Sequence, residues 1–192
     1  MSDDELLHEE KRFYDRFWDR VAALLSNPDL MRVYHAFGPR VFRRSSVLEG
    51  LEAFLEANGV RGRRCVEIGT CKGLTAILLA RRFDEVVTID VVPDPERAAV
   101  AAAAGVANIR FVTVPDNGGK AGVIEPLEFD FAYVDGDHAR DTESDFALVR
   151  RCGRVLFHEH WPPQRPVVAL VDRLRASSHV VAQGKLALWR AV

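Results

Sequence analysis

The chain has 192 residues, 48% of them hydrophobic, which is enough to bury one sizeable core but a squeeze for two. A formal charge of -2 and a pI near 6.3 give no global pull toward nucleic acid or an anionic membrane, so partners have to be argued from sites. The opening MSDDELLHEE lacks a signal peptide's basic start and apolar run, and the three cysteines (Cys65, Cys71, Cys152) have no CxxC spacing, so a cytoplasmic, non-membrane setting is expected.

In chain order, the first element is an amphipathic helix over about residues 6–25, with Leu6, Phe13, Phe17, Val21 and Leu24 at helical spacing. Its aromatics Phe13, Tyr14, Phe17 and Trp18 suit a substrate lid, internal packing or the face of a homodimer. Asn27-Pro28 caps a second helix that Gly38-Pro39 stops. Arginines 32, 40, 43, 44, 61, 63 and 64 make the stretch before the core locally basic, but no aromatic-interleaved run accompanies them, so they read as a solvated face rather than a nucleic-acid surface. Ser45 or Ser46 is the expected cap of a third helix that buries Leu48, Leu51, Phe54 and Leu55.

From there strands alternate with helices. Strands are expected at 65–68, 86–89, 109–114, 129–134 and 155–157, with helices at 74–82, after Pro93 and Pro95, at 139–151 and at 166–177. The last two runs, 179–182 and 186–189, flank a link too short for a parallel crossover and must pair antiparallel. This pattern predicts an α/β fold: a doubly wound, mostly parallel seven-stranded sheet ending in an antiparallel hairpin. The division expected is a helical extension over 1–45 and a cofactor-binding domain over 46–192.

Val66-Glu67-Ile68-Gly69-Thr70-Cys71-Lys72-Gly73 lies where the first strand turns into a helix, the crevice in which open α/β sheets bind ligands. Glu67, Gly69, Thr70, Gly73 and Thr75 are the candidate binding residues there. Asp90 ends the second strand, where a carboxylate can accept both ribose hydroxyls of an adenosine ligand. A dinucleotide site needs G-x-G-x-x-G to rest a pyrophosphate on the helix N-terminus. Position 71 is cysteine, so the middle glycine is missing, and Glu67 suits a ligand with a cationic amino group and sulfonium.

Glu67, Gly69, Gly73 and Thr75 match E-x-G-x-x-x-G-x-[ST], and here the sequence resembles class I S-adenosylmethionine-dependent methyltransferases, in the branch of catechol and caffeoyl-CoA O-methyltransferases. The stretch Phe129-Asp130-Phe131-Ala132-Tyr133-Val134-Asp135-Gly136-Asp137-His138, followed by Val155-Leu156-Phe157-His158-Glu159, is similar to macrocin-type and cephalosporin-hydroxylase-like families. The resemblance covers about residues 48–190. It implies S-adenosylmethionine as cofactor, with Asp116 near the adenine and Asp135 beside the reacting end.

Such enzymes hold a divalent cation with an acid after the fourth strand and an acidic or amide pair after the fifth, which here implies Asp135, Glu159 and His160. Mg²⁺ or Mn²⁺ there lowers the pKa of an acceptor hydroxyl. Histidine at 160 departs from the catechol-type asparagine and also suits Fe²⁺ or Zn²⁺. Simple hydrogen bonding accounts for His158 and His160 equally well. His138, with Asp135, is the candidate general base, and capping of the next helix is an equal reading of Asp137 or His138. The expected activity is O-methylation of a small-molecule hydroxyl. The alternatives are a catalytically idle cofactor-binding module and, against the loop and hairpin signals, a nicotinamide oxidoreductase.

Overall fold

The computed structural model describes residues 21–22, 24–42, 48–161 and 164–192. The stretch 6–20 of the first expected helix, with its four aromatics, and the candidate caps Ser45 and Ser46 lie outside the described residues. Val21, from the end of that expected helix, is buried against the core.

Helix α1 (Pro28–Phe37) starts where the sequence places it: the Asn27 side chain accepts from the amides of Asp29 and Leu30, and Pro28 occupies the first turn. Gly38, at φ 69°, ends it with its amide on the Tyr34 carbonyl. A single 3-10 turn, Pro39–Phe42, follows. Helix α2 (Leu51–Ala57) begins later than the serine signals suggest, after Gly50 in the left-handed region, without a side-chain cap.

Strands and helices then alternate: β1 (Gly62–Ile68), α3 (Leu74–Ala80), β2 (Phe83–Asp90), α4 (Arg97–Ala103), β3 (Ile109–Thr113), α5 (Gly119–Ile124), β4 (Phe131–Val134), α6 (Thr142–Val149), β5 (Arg154–Phe157), α7 (Arg165–Arg175), β6 (His179–Gln183) and β7 (Leu186–Arg190). Strand β4 starts two residues later than the apolar run implies, because the Asp130 carboxylate turns aside to take the amides of Arg63 and Arg64. The sheet order is β3-β2-β1-β4-β5-β7-β6. Neighbours from β3 through β5 are parallel, and β7 runs antiparallel to both β5 and β6.

Alternation along each strand divides the core in two. Cys65, Val86, Phe131, Tyr133 and Leu156 join the layer of α1 to α4, while Val66, Ile68, Val134, Phe157 and Trp189 meet α5, α6 and α7. Helix α1 is pinned to the first layer by the buried Asp29, which pairs with Arg32 and Arg81. Between β1 and β4 the winding changes direction, which opens a crevice at their carboxyl ends.

Candidate active site

A cavity of about 900 Å³ fills that crevice. Its wall comes from the ends of β1 and β2 (Gly69, Cys71, Asp90, Val92), the turn after β4 (Asp135 to Asp137) and Arg40 and Val41 of the 3-10 turn. Its size is that of a pocket for a nucleoside-sized ligand. Gly69, at φ 94°, is forced by its neighbours: a Cβ there would lie 2.1 Å from the Asp135 carbonyl oxygen. The β1 and β4 turns are therefore locked together, with the Asp135 amide on Ile68 O, while the Gly69 amide holds the same turn to β2 through Ile89 O.

The loop amides point inward. Asp90 Oδ2 accepts from Thr70 N at 3.0 Å, Cys71 N at 2.9 Å and Arg97 Nη2 at 2.8 Å. Oδ1 accepts from Val92 N at 3.0 Å. Arg97, nearly fully buried, also donates Nε to the Cys71 carbonyl at 2.7 Å. Cys71 sits at φ 47°, a conformation rare for a residue with a Cβ, held by these bonds. In a dinucleotide site such amides would face a pyrophosphate. Here two are consumed by a carboxylate, which leaves a poor seat for an anion.

Glu67 is fully buried on β1. Its Oε2 accepts from Thr88 Oγ1, which also meets Thr70 Oγ1 at 2.7 Å, while Oε1 has no partner. Burial pushes the Glu67 carboxyl up to about 8, against the opposing bond from Thr88. The orphaned oxygen beneath the loop is what a cationic or hydrogen-bonding group would complete.

At the end of β4, Asp135 Oδ1 meets His138 Nε2 at 2.9 Å and His158 Nδ1 at 3.0 Å. Burial raises the Asp135 carboxyl, but the bonds from the two histidines outweigh it and hold it below the ordinary value. An ionised carboxylate only accepts, so both imidazoles donate to it. His158 is buried and stacked on Tyr133, with ring centroids 6.5 Å apart. The ligand atoms of Asp135, His138 and His158 all lie within 4.8 Å of one another.

The expected trio of Asp135, Glu159 and His160 does not assemble. Glu159 stands at φ 60°, its carboxylate taking Trp161 Nε1 and lying 3.5 Å from both His158 Nδ1 and Lys185 Nζ. His160 Nε2 is buried without a hydrogen-bond partner among the described residues, and burial, then the charge of Arg175, lowers its pKa. His158 takes the place expected of it.

Among the expected cofactor residues, Gly69, Asp90 and Asp135 reach the cavity wall. Glu67, Thr70, Gly73 and Thr75 stand behind it or within the loop and helix that shape it. Gly73, at φ 80°, starts α3 against the Phe111 ring. Asp116 is off the wall, its Oδ1 capping the Gly119 amide, and Asn117 lines the cavity instead. Sequence reasoning missed Arg97 and Lys120, buried cations that no motif marks, and Arg40, which lies outside the cofactor motifs.

The fold has many solved counterparts. It is similar to an O-methyltransferase from Bacillus cereus in complex with S-adenosylhomocysteine, at 18% identity and TM-score 0.54 over 73% of this chain and 78% of that one. It is also similar to cofactor-bound Rv0187 from MTB, at 22% identity and TM-score 0.57 over 85% and 88%. The N-methyltransferase NodS from Bradyrhizobium japonicum, in complex with S-adenosylhomocysteine, aligns at 17% identity and TM-score 0.52 over 78% and 87%. No curated protein sequence matches. A methyltransferase domain family model matches residues 66–160, the span from the first strand of the cavity through Asp135 and His158. Residues 66–160 thus carry a methyltransferase domain, and the sheet order and glycine loop around it have the class I S-adenosylmethionine-dependent methyltransferase fold.

Proposed function

We propose that the protein transfers the methyl group of S-adenosylmethionine to a hydroxyl oxygen of a small-molecule acceptor, with Asp135, His138 and His158 on the acceptor side. The observation that carries this reading is the Asp–His–His cluster, centred on Asp135 of the turn that walls the cofactor cavity, with His158 joining it from the end of β5. A hydroxyl is a poor nucleophile and needs its proton removed, whereas an amine acceptor needs less help. In the transfer, the acceptor oxygen forms its bond to the methyl carbon as the carbon–sulfur bond breaks. The bonding pair stays on sulfur, leaving S-adenosylhomocysteine. Because His138 Nε2 donates to Asp135, its Nδ1 carries the lone pair that takes the acceptor proton, and the carboxylate stabilises the resulting imidazolium.

Two imidazole nitrogens and one carboxylate oxygen also fit a divalent cation, and this donor set matches Mn²⁺, Fe²⁺ or Zn²⁺ better than all-oxygen Mg²⁺. Asp135, His138 and His158 would hold it, and it would lower the pKa of the acceptor hydroxyl. The test is transfer of labelled methyl to a panel of phenolic, sugar-hydroxyl and amine acceptors, before and after exhaustive chelation and with His138→Ala and His158→Ala. Transfer to hydroxyls, reduced at least about 100-fold in both variants, is expected. Exclusive transfer to amines, or full activity in both variants, would contradict the reading.

A further inference from the structure

Lys120 and Asp145 form an ion pair that is buried on both sides, with Nζ 2.7 Å from Oδ1 and 3.0 Å from Oδ2. They come from α5 and α6, the helices before and after β4, and the turn that follows β4 lies directly on them. A Cβ at Gly136 would stand 2.9 Å from Asp145 Oδ2 and 3.7 Å from Lys120 Nζ. Stability does not account for such a pair, because two packed apolar side chains of similar volume often do as well or better. An ammonium carries three N–H donors. Among the described residues Lys120 Nζ bonds Asp145 alone, whose two oxygens take two of the three. A buried donor left without an acceptor is costly, and the open side of Lys120 is the cavity that it lines.

The surroundings narrow the acceptor. Because the pair is neutral as a whole, a second carboxylate on the ammonium would bury a net charge, whereas a neutral acceptor would not. Around Lys120 the cavity wall is apolar at Ile68, Ile89 and Val91, with Asn117 as a second polar group. Apolar walls with one or two polar groups between them suit a flat heterocycle read at its edge. On an adenosyl ligand, the strong neutral acceptors that do not also donate are the ring nitrogens of adenine. We infer that Lys120 is a specificity-determining residue of the cofactor site: its third N–H donates to an adenine ring nitrogen, while Asp145 holds the ammonium in place and balances its charge. This rests on the cavity being the S-adenosylmethionine site.

Calorimetric titration with S-adenosylhomocysteine and its 1-deaza, 3-deaza and 7-deaza analogues tests it, on the full chain, on Lys120→Met and on the double replacement Lys120→Met with Asp145→Leu. On the unaltered protein at least one analogue should bind about tenfold or more weakly than the parent, since a C–H then stands where a nitrogen accepted from a charged donor. In Lys120→Met the parent should weaken about tenfold and that analogue should come within about threefold of it, while the other two keep their ratios to the parent. Where Lys120→Met does not fold around an unpaired Asp145, the double replacement, which leaves no buried charge, reads the same gap. A lysine that only supports the turn would weaken all four ligands alike and leave the gap intact in the variants, which overturns the inference. Three analogues within about threefold of the parent on the unaltered protein overturn it too, whichever variants fold. Absence of any binding by the parent ligand would instead remove the cofactor reading beneath it.

Discussion

Gly69 and Glu67 were both legible as a motif, yet the reasons for each are only visible in three dimensions. Gly69 is required by the Asp135 carbonyl 2.1 Å from where a Cβ would stand, a contact between strands far apart in sequence. Gly69→Ala should therefore cost about 3 kcal/mol or more through strain and clash, read as a large drop in melting temperature. A drop of under about 1 kcal/mol would mean the β1 and β4 turns can part freely. Glu67 makes a different prediction. Burial raises its carboxyl from 4.5 to about 8, so between those values the folded chain holds a proton that the unfolded chain has released. Stability then falls as pH rises through that window, because the folded state binds more protons there. Glu67→Gln carries no such proton, so the unaltered protein should lose melting temperature relative to the variant from pH 5 to 8 and run parallel to it above about pH 9. Parallel profiles throughout would show that Glu67 stays ionised.

At the scale of elements, the strands and most helices followed from apolar periodicity and from Asn27-Pro28 and Gly38-Pro39. The approach of β4 and β5 to the acceptor side was harder to read. The resemblance to metal-dependent O-methyltransferases implied 159 and 160, but Glu159 adopts a left-handed backbone that only tertiary contacts impose on a non-glycine residue. The turn leaves His158 on Asp135 and swings His160 away. The 3-10 turn before α2 carries a second lesson. Arg40 makes a two-pronged pair with Glu96, at 2.8 and 2.6 Å, and Lys72 of the glycine loop reaches both Glu96 and Asp94. The bonds from Arg40, then Lys72, hold the Glu96 carboxyl down at about 2. Exposed pairs contribute little to stability. Their effect is on the cavity, which Arg40 and Val41 wall from outside the cofactor motifs. Arg40→Ala should leave the melting temperature within a few degrees, yet speed S-adenosylhomocysteine dissociation about three- to tenfold, with the difference shrinking at high salt. An unchanged dissociation rate in stopped-flow measurements would reduce the clasp to decoration.

Over the whole molecule, the sheet order places Gly69, Asp90 and Asp135 on one crevice, although they lie on three different strands. Sequence order alone indicated that convergence because the switch point of a doubly wound sheet follows from its topology. What order could not convey is how the polar groups are shared out: Asp90 holds its own loop, and Asp135 gathers two histidines. No helix among the described residues is long and apolar enough to cross a membrane. The central claim is that this crevice is built for a cationic adenosyl ligand and not for a dinucleotide, since two loop amides that could hold a pyrophosphate already bind Asp90. Side-by-side calorimetric titration of the purified full chain with S-adenosylmethionine, S-adenosylhomocysteine and NAD measures this most directly. The account predicts one site per chain for both adenosyl ligands, at about micromolar affinity, with NAD at least about 100-fold weaker. NAD binding as tightly as either of them would contradict it.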